Sequence, residues 1–191
     1  MTGTALIAPS LVTEQERRDM LVEAEVHLPT ASRSDRSNWK IVDGRQLLGP
    51  ARFSYSLRGD IRQQVQRRVA DRAAKLVDVP VQPIQSNYLY YFRGDYLGLH
   101  HDQARCPLSA IVLLGGDAGP LCVHSEPRAI SIEQFSDFDP TVEHEGSRFM
   151  LQQGPLLLWG GLLPHHRDPH TAVRPAIIVT FCLGIEGQSS P

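Results

Sequence analysis

The stretch "DVPVQP", residues 78–83, divides the chain into two regimes of hydrophobic patterning. After it come "QSNYLYYF", "LSAIVLLG", "GPLCVH", "RFMLQQ", "GPLLLWGG" and "AIIVTFCLG", short apolar or alternating runs separated by Gly, Pro and Asp. Runs this short, punctuated in this way, suit strands rather than helices, so the C-terminal half is expected to fold as a β sandwich or barrel. Before it the period is helical. "TEQERRDMLVEAEV" opens on Thr13 with Glu16 three residues on, the pattern of a capping box. "DIRQQVQRRVADRAAKLV" places Ile61, Val65, Val69, Ala73 and Leu76 on one face. Its other face carries Arg62, Arg67, Arg68, Arg72 and Lys75, read as a solvated face partly balanced by Asp60 and Asp71. Pro80 and Pro83 stop the helix because proline lacks the N–H that would continue it.

A chain of 191 residues is enough for one domain with a core of its own. The expected organisation is a single domain over 1–191, mainly β with N-terminal helices (α+β). Residues 1–80 supply mostly supporting helices and 85–184 the β core, with a polar, acidic loop insertion over 124–147. The net charge of −2 gives no electrostatic reason to expect a nucleic-acid or membrane partner. No run approaches the roughly 20 apolar residues of a membrane-spanning helix, and the N-terminus shows no export pattern. The three cysteines, Cys106, Cys122 and Cys182, are widely spaced without a CxxC, so no disulfide framework is expected. A reducing, cytoplasmic setting follows as an expectation, with Cys106 a buried inert thiol. Oligomeric state is not legible.

The chemistry concentrates in "YFRGDYLGLHHDQARC", residues 91–106. Strand side chains alternate faces, so His100 and Asp102 point one way and His101 the other. One face of one strand thus offers an imidazole and a carboxylate. A third ligand is available in "LLPHHRDPHTAVRPAIIVTF", as His165 or His166, with Arg174 ahead of the next apolar run. Two imidazoles and one carboxylate form the facial triad of non-haem Fe(II) oxygenases, which leaves metal positions open for reactants. His124, His144 and His170 read as surface or loop histidines. Trp159 and Phe181 read as core aromatics, and Arg93 and Asp95 carry no assigned role.

On these residues the chain resembles the Fe(II)/2-oxoglutarate-dependent dioxygenases, with a prolyl-hydroxylase-like order of H-x-D, distal His and basic residue. His165, Pro169 and Arg174 reproduce that spacing, which selects His165 over His166. Tyr91 and Gly94 match the Tyr-x-x-Gly that precedes the H-x-D in such proteins, with Tyr88 and Tyr90 as competitors one register step away. The resemblance spans roughly residues 85 to 184. It implies a double-stranded β-helix core, a cupin-like jelly roll. It implies Fe(II) on His100, Asp102 and His165, and 2-oxoglutarate held by Arg174 and Tyr91. It also implies reaction with O2, releasing succinate and CO2 as a small-molecule substrate such as an amino acid or biosynthetic intermediate is hydroxylated. Asp102 argues against the related halogenases, which typically carry Gly or Ala there. The alternatives are a peptidyl hydroxylase of the same class, or a cupin-like metal protein that is not an oxygenase.

Overall fold

The structure, a computed structural model, describes residues 4–42, 46–124, 147–159 and 163–187. Helix α1 (Glu14–His27) starts where the capping box places it. The Thr13 hydroxyl accepts from the Glu16 N–H at 3.2 Å, and the Glu16 carboxylate accepts from the Thr13 N–H at 2.8 Å. Helix α2 (Asp60–Val77) buries Val65, Val69, Ala70, Ala73 and Val77, while Leu76 is exposed. Its basic residues are not a uniform solvated face. Arg68 and Arg72 pair with Glu16 of α1, both at 2.6 Å. Arg62 is buried and donates to the Ser86 hydroxyl at 2.8 Å. No helix among the described residues is long and apolar enough to cross a membrane.

Residues 1–80 hold the supporting helices together with strands that the patterning does not announce. Five strands share that stretch with the helices: β1 (Thr4–Ile7), β2 (Ser32–Arg36), β3 (Lys40–Val42), β4 (Gln46–Leu48) and β5 (Ala51–Ser56). Four of the five are three to five residues long and β2 is wholly polar, so these carry no hydrophobic alternation of their own; β5 alternates Ala51, Phe53 and Tyr55 with polar residues over a single short run. Pairing supplies what the pattern lacks: β1 adds to a later apolar strand, and β2 and β5 pair along five residues.

The C-terminal half follows the patterning. It contains β6 (Val81–Tyr91), β7 (Tyr96–His100), β8 (Leu108–Gly115), β9 (Leu121–Val123), β10 (Ser147–Phe149), β11 (Leu156–Trp159), β12 (His165–Arg167) and β13 (Ala176–Ile185). All described pairings are antiparallel, in the order β1-β11-β8-β13-β6-β5-β7-β12-β9-β10. This is a mainly β architecture of jelly-roll type. Residues 125–146, nearly all of the expected insertion and including His144, lie outside the described residues.

Alternation along the central strands makes two cores. Tyr88 and Tyr90 of β6, Ala110 and Val112 of β8, and Ile177 and Val179 of β13 face the helices. Leu89, Tyr91, Ile111, Ala176 and Ile178 face the opposite way, toward Leu121 and Val123 of β9. The second face encloses the cavity described below. Phe181 is fully buried in the helix-side core, as expected; of Trp159 only the backbone pairing is described. The expectation about disulfides is corrected. Cys106, just past β7, is bonded to Cys182 of β13 across 76 residues of sequence, and both line the cavity. Spacing along the chain gave no sign of this bond because only the folded sheet brings the two Cα atoms to 5.1 Å.

Candidate metal centre

Strand pairing assembles the centre. β7 and β12 are antiparallel, and His100 sits directly opposite His165. Their rings lie 4.0 Å apart, centroid to centroid. Asp102, two residues past His100, brings a carboxylate oxygen 4.0 Å from His100 Nε2. One donor atom from each of His100, Asp102 and His165 lies within 4.8 Å of the other two.

Backbone carbonyls fix both rings. His100 Nδ1–H donates to the Gly98 carbonyl at 3.0 Å, and His165 Nδ1–H donates to the Leu163 carbonyl at 2.9 Å. Each ring is therefore held as the tautomer whose Nε2 lone pair faces the cluster, the usual outer-shell arrangement of a metal-binding histidine. Burial, then the neighbouring His165, pushes the His100 pKa down, which keeps that imidazole neutral and able to donate its lone pair. Burial opposes ionisation of Asp102. Attraction to His165 and His100 and a hydrogen bond from the Ser109 hydroxyl outweigh it and hold the carboxyl below its usual range. Two imidazoles and one carboxylate on one side of a cavity fit a divalent first-row metal held facially.

His101 is turned away, as the alternation requires. Its Nε2 accepts the Leu47 N–H at 3.1 Å. His166 likewise lies on the opposite face of β12 from His165, beside Cys122 of β9.

The cluster opens into a cavity of about 370 Å³ between the β6–β8–β13 wall and the β7–β9–β12 wall. Its lining is largely apolar, with Leu89, Leu97, Ile111, Leu121 and Ile178 among the residues involved. Tyr91 lines it and is buried. Tyr88 and Tyr90 do not, since their hydroxyls bond the Glu23 carboxylate at 2.6 Å and the Ala24 carbonyl at 2.8 Å in the helix layer. The structure therefore separates the three tyrosines by face.

Arg174 is not in the cavity. It lies exposed in the bend before β13, and its carbonyl accepts from His170 Nε2–H at 2.7 Å. The strand that lines the cavity begins only at Ala176, after Pro175, so its in–out alternation does not reach residue 174. Two arginines line the cavity, Arg36 and Arg167, and of these Arg167 is the fully buried one. It is 2% exposed, and its guanidinium carbon sits 5.1 Å from the centroid of the Tyr91 ring. Nη1 donates to the Gly119 carbonyl at 3.2 Å, and Nη2 is buried without a hydrogen-bond partner. Burial pushes the Arg167 pKa down, and Tyr91 opposes this. A buried guanidinium with an unsatisfied N–H favours an anionic ligand in the cavity. Sequence reasoning missed Arg167, although it stands two residues from His165 and hence shares its face.

Asp95 and His170 also gained roles. Asp95 is buried and bidentate with Arg33, at 2.6 and 2.5 Å. The backbone of Gly94–Asp95 exchanges two hydrogen bonds with His170, at 2.8 and 2.7 Å. His170 is buried rather than a surface histidine, and this staple ties the turn after Tyr91 to the segment after Arg167.

No protein-family model and no curated protein matches the sequence. Solved structures do. SnoN, a non-haem α-ketoglutarate-dependent epimerase from nogalamycin biosynthesis, superimposes with a TM-score of 0.65 at 16% identity, over 94% of this chain and 78% of its own. HygX from Streptomyces hygroscopicus, solved with nickel, 2-oxoglutarate and hygromycin B bound, gives 0.66 at 13% identity over 99% and 86%. This chain has the fold of the 2-oxoglutarate-dependent non-haem iron enzymes. A Pseudomonas putida prolyl-4-hydroxylase shares that fold too, with a TM-score of 0.60 at 12% identity over 98% and 94%. In this chain the jelly roll carries helices on one face and the His–Asp–His cluster inside the other.

Proposed function

We propose that the protein is an Fe(II)- and 2-oxoglutarate-dependent oxygenase that hydroxylates a small molecule. His100, Asp102 and His165 hold the metal, the first and last through Nε2. Arg167, in place of Arg174, pairs with the far carboxylate of 2-oxoglutarate, and Tyr91 supports it from beneath. The observation that carries this reading is the coexistence in one cavity of the His–Asp–His cluster and a buried guanidinium with an N–H to give. Bound iron supplies the activation of O2, coupled to decarboxylation of 2-oxoglutarate to succinate and CO2. The chain supplies position and exclusion. Gly98 and Leu163 carbonyls keep the imidazoles aimed. Ser109 orients the second oxygen of Asp102 so that the other faces the metal. Apolar walls keep water away from the reacting atoms.

The cavity volume is at the small end of ligand pockets, which favours a small molecule over a peptide. Arg36, Gln46 and Asn87 also line it and offer polar contacts to a hydroxylated or charged substrate. The test is succinate formation by the Fe(II)-loaded protein with 2-oxoglutarate across a panel of amino acids, sugars and polyketide-like alcohols. Substrate-stimulated succinate, lost in His165→Ala, is expected. A protein that binds iron yet neither binds 2-oxoglutarate nor forms succinate with any panel member would overturn the assignment.

A further inference from the structure

Behind the strand that carries His165 and Arg167 lies a second group of metal-ligating side chains. His166 alternates with those two residues and so faces away from the cavity, and Asp168, just past the strand end, brings a carboxylate to it. Across the ladder, His166 pairs directly with Cys122 of β9, whose neighbours Leu121 and Val123 face the cavity side. The donor atoms of Cys122, His166 and Asp168 all lie within 4.8 Å of one another. Cys122 and His166 are buried, and Asp168 is 27% exposed, which leaves a route in for an ion.

We propose that Cys122, His166 and Asp168 bind a thiophilic divalent cation, zinc in the first instance, with solvent as the fourth ligand, at a site separate from the His100–Asp102–His165 centre. Three features favour it. The donor set of thiolate, imidazole and carboxylate is a zinc set, and its two negative charges neutralise the ion. The spacing suits tetrahedral geometry: donors each about 2.1 Å from a metal stand roughly 3.4 Å apart. His166 Nε2 and Asp168 Oδ1 are 3.4 Å apart. Outer contacts also orient the ligands. His166 Nδ1 meets His124 Nε2 at 3.2 Å, which directs Nε2 at the cluster, and Arg148 lies 3.7 Å from the other oxygen of Asp168. On binding, the Cys122 thiol passes its proton to solvent and the thiolate bonds the metal. Such an ion ties β9 to β12 and thereby steadies the strand that positions His165 and Arg167. The site does not depend on the iron reading.

The experiment is anaerobic titration of the chelator-stripped full chain with Co(II), followed by absorption. A thiolate-to-cobalt charge-transfer band is expected in both proteins, saturating at about one equivalent in His165→Ala and by about two in the wild type, whose His–Asp–His centre also takes cobalt but contains no sulfur. The band should vanish in Cys122→Ser. No band in the wild type, or one that survives Cys122→Ser, overturns the proposal. Because Cys122 is buried, Asp168→Asn provides a milder variant: its affinity for zinc should fall at least roughly tenfold. With the first centre removed by His165→Ala, zinc should raise the Tm by several degrees, and much less once Asp168→Asn is added. Equal affinity and equal shifts with and without Asp168→Asn overturn it as well.

Discussion

Replacing Arg167 with methionine is the most informative change. Methionine keeps an unbranched apolar stem beside Tyr91 but removes the guanidinium, whose carbon lies 5.1 Å from that ring centroid. In the wild type the buried Nη2 is available to a carboxylate. A hydrogen bond between charged groups contributes about 1.5–3 kcal/mol, so its loss should weaken 2-oxoglutarate binding roughly ten- to a hundredfold. Arg167→Lys keeps the charge but not the planar fork, and should fall in between. Arg174→Ala should stay within about twofold of wild type, since that exposed residue meets His170 through its carbonyl, which the substitution retains. Isothermal titration of 2-oxoglutarate into the Ni(II)-loaded proteins reads all three. Metal affinity and Tm, measured alongside, separate loss of the anchor from loss of the fold. Wild-type affinity in Arg167→Met, or a comparable loss in Arg174→Ala, would refute the placement of the anchor on β12.

Other consequences follow from the surrounding contacts. Gly98→Ala should unfold the protein or abolish metal binding, because a Cβ there would lie 1.9 Å from the Pro50 carbonyl oxygen while the Gly98 carbonyl holds His100; a soluble, metal-binding variant with unchanged Tm counts against this. His101→Ala should keep the iron centre but lose about 1–3 kcal/mol in denaturant unfolding, as the Leu47 N–H loses its acceptor; loss of metal affinity with no stability change would reverse the roles of the two histidines. Burial raises the Glu16 pKa, but hydrogen bonds from Arg72, the Thr13 N–H and Arg68 outweigh it and hold it at about 2. The folded value lies below the unfolded one, so the stabilisation is complete above the unfolded pKa and is lost as pH falls toward about 2. A shift from 4.5 to about 2 corresponds to about 3 kcal/mol at most. The Tm gap between wild type and Glu16→Gln should therefore narrow from about pH 5 downward and close only toward about pH 2; a constant gap would exclude this origin.

What the sequence revealed was what depends on local period. The capping box located α1 and the spacing of Val65, Val69 and Ala73 located α2. Alternation split His100 from His101, and each apolar run after residue 83 overlaps a strand or leads into one. What stayed hidden depends on partners distant in the chain. β2, "SRSDR", is a strand because β5 pairs with it, and nothing in its composition says so. Arg62 looked like a surface cation until Ser86 and the Leu57 carbonyl were brought against it. Which of Tyr88, Tyr90 and Tyr91 faces the cavity was a register question, answered only by where the helices pack. Arg174 was chosen by its spacing from His165 along the chain. The alternation already used for His100 and Asp102, applied to "HHR", would have pointed to Arg167.

The central claim is that positions 100, 102 and 165 share one ion. A crystal structure of the protein loaded anaerobically with Fe(II) and 2-oxoglutarate tests it most directly. Iron bonded to His100 Nε2, Asp102 and His165 Nε2, with the far carboxylate of 2-oxoglutarate on Arg167, is the predicted result. Iron bound elsewhere, or a cosubstrate that leaves Arg167 untouched, would contradict it.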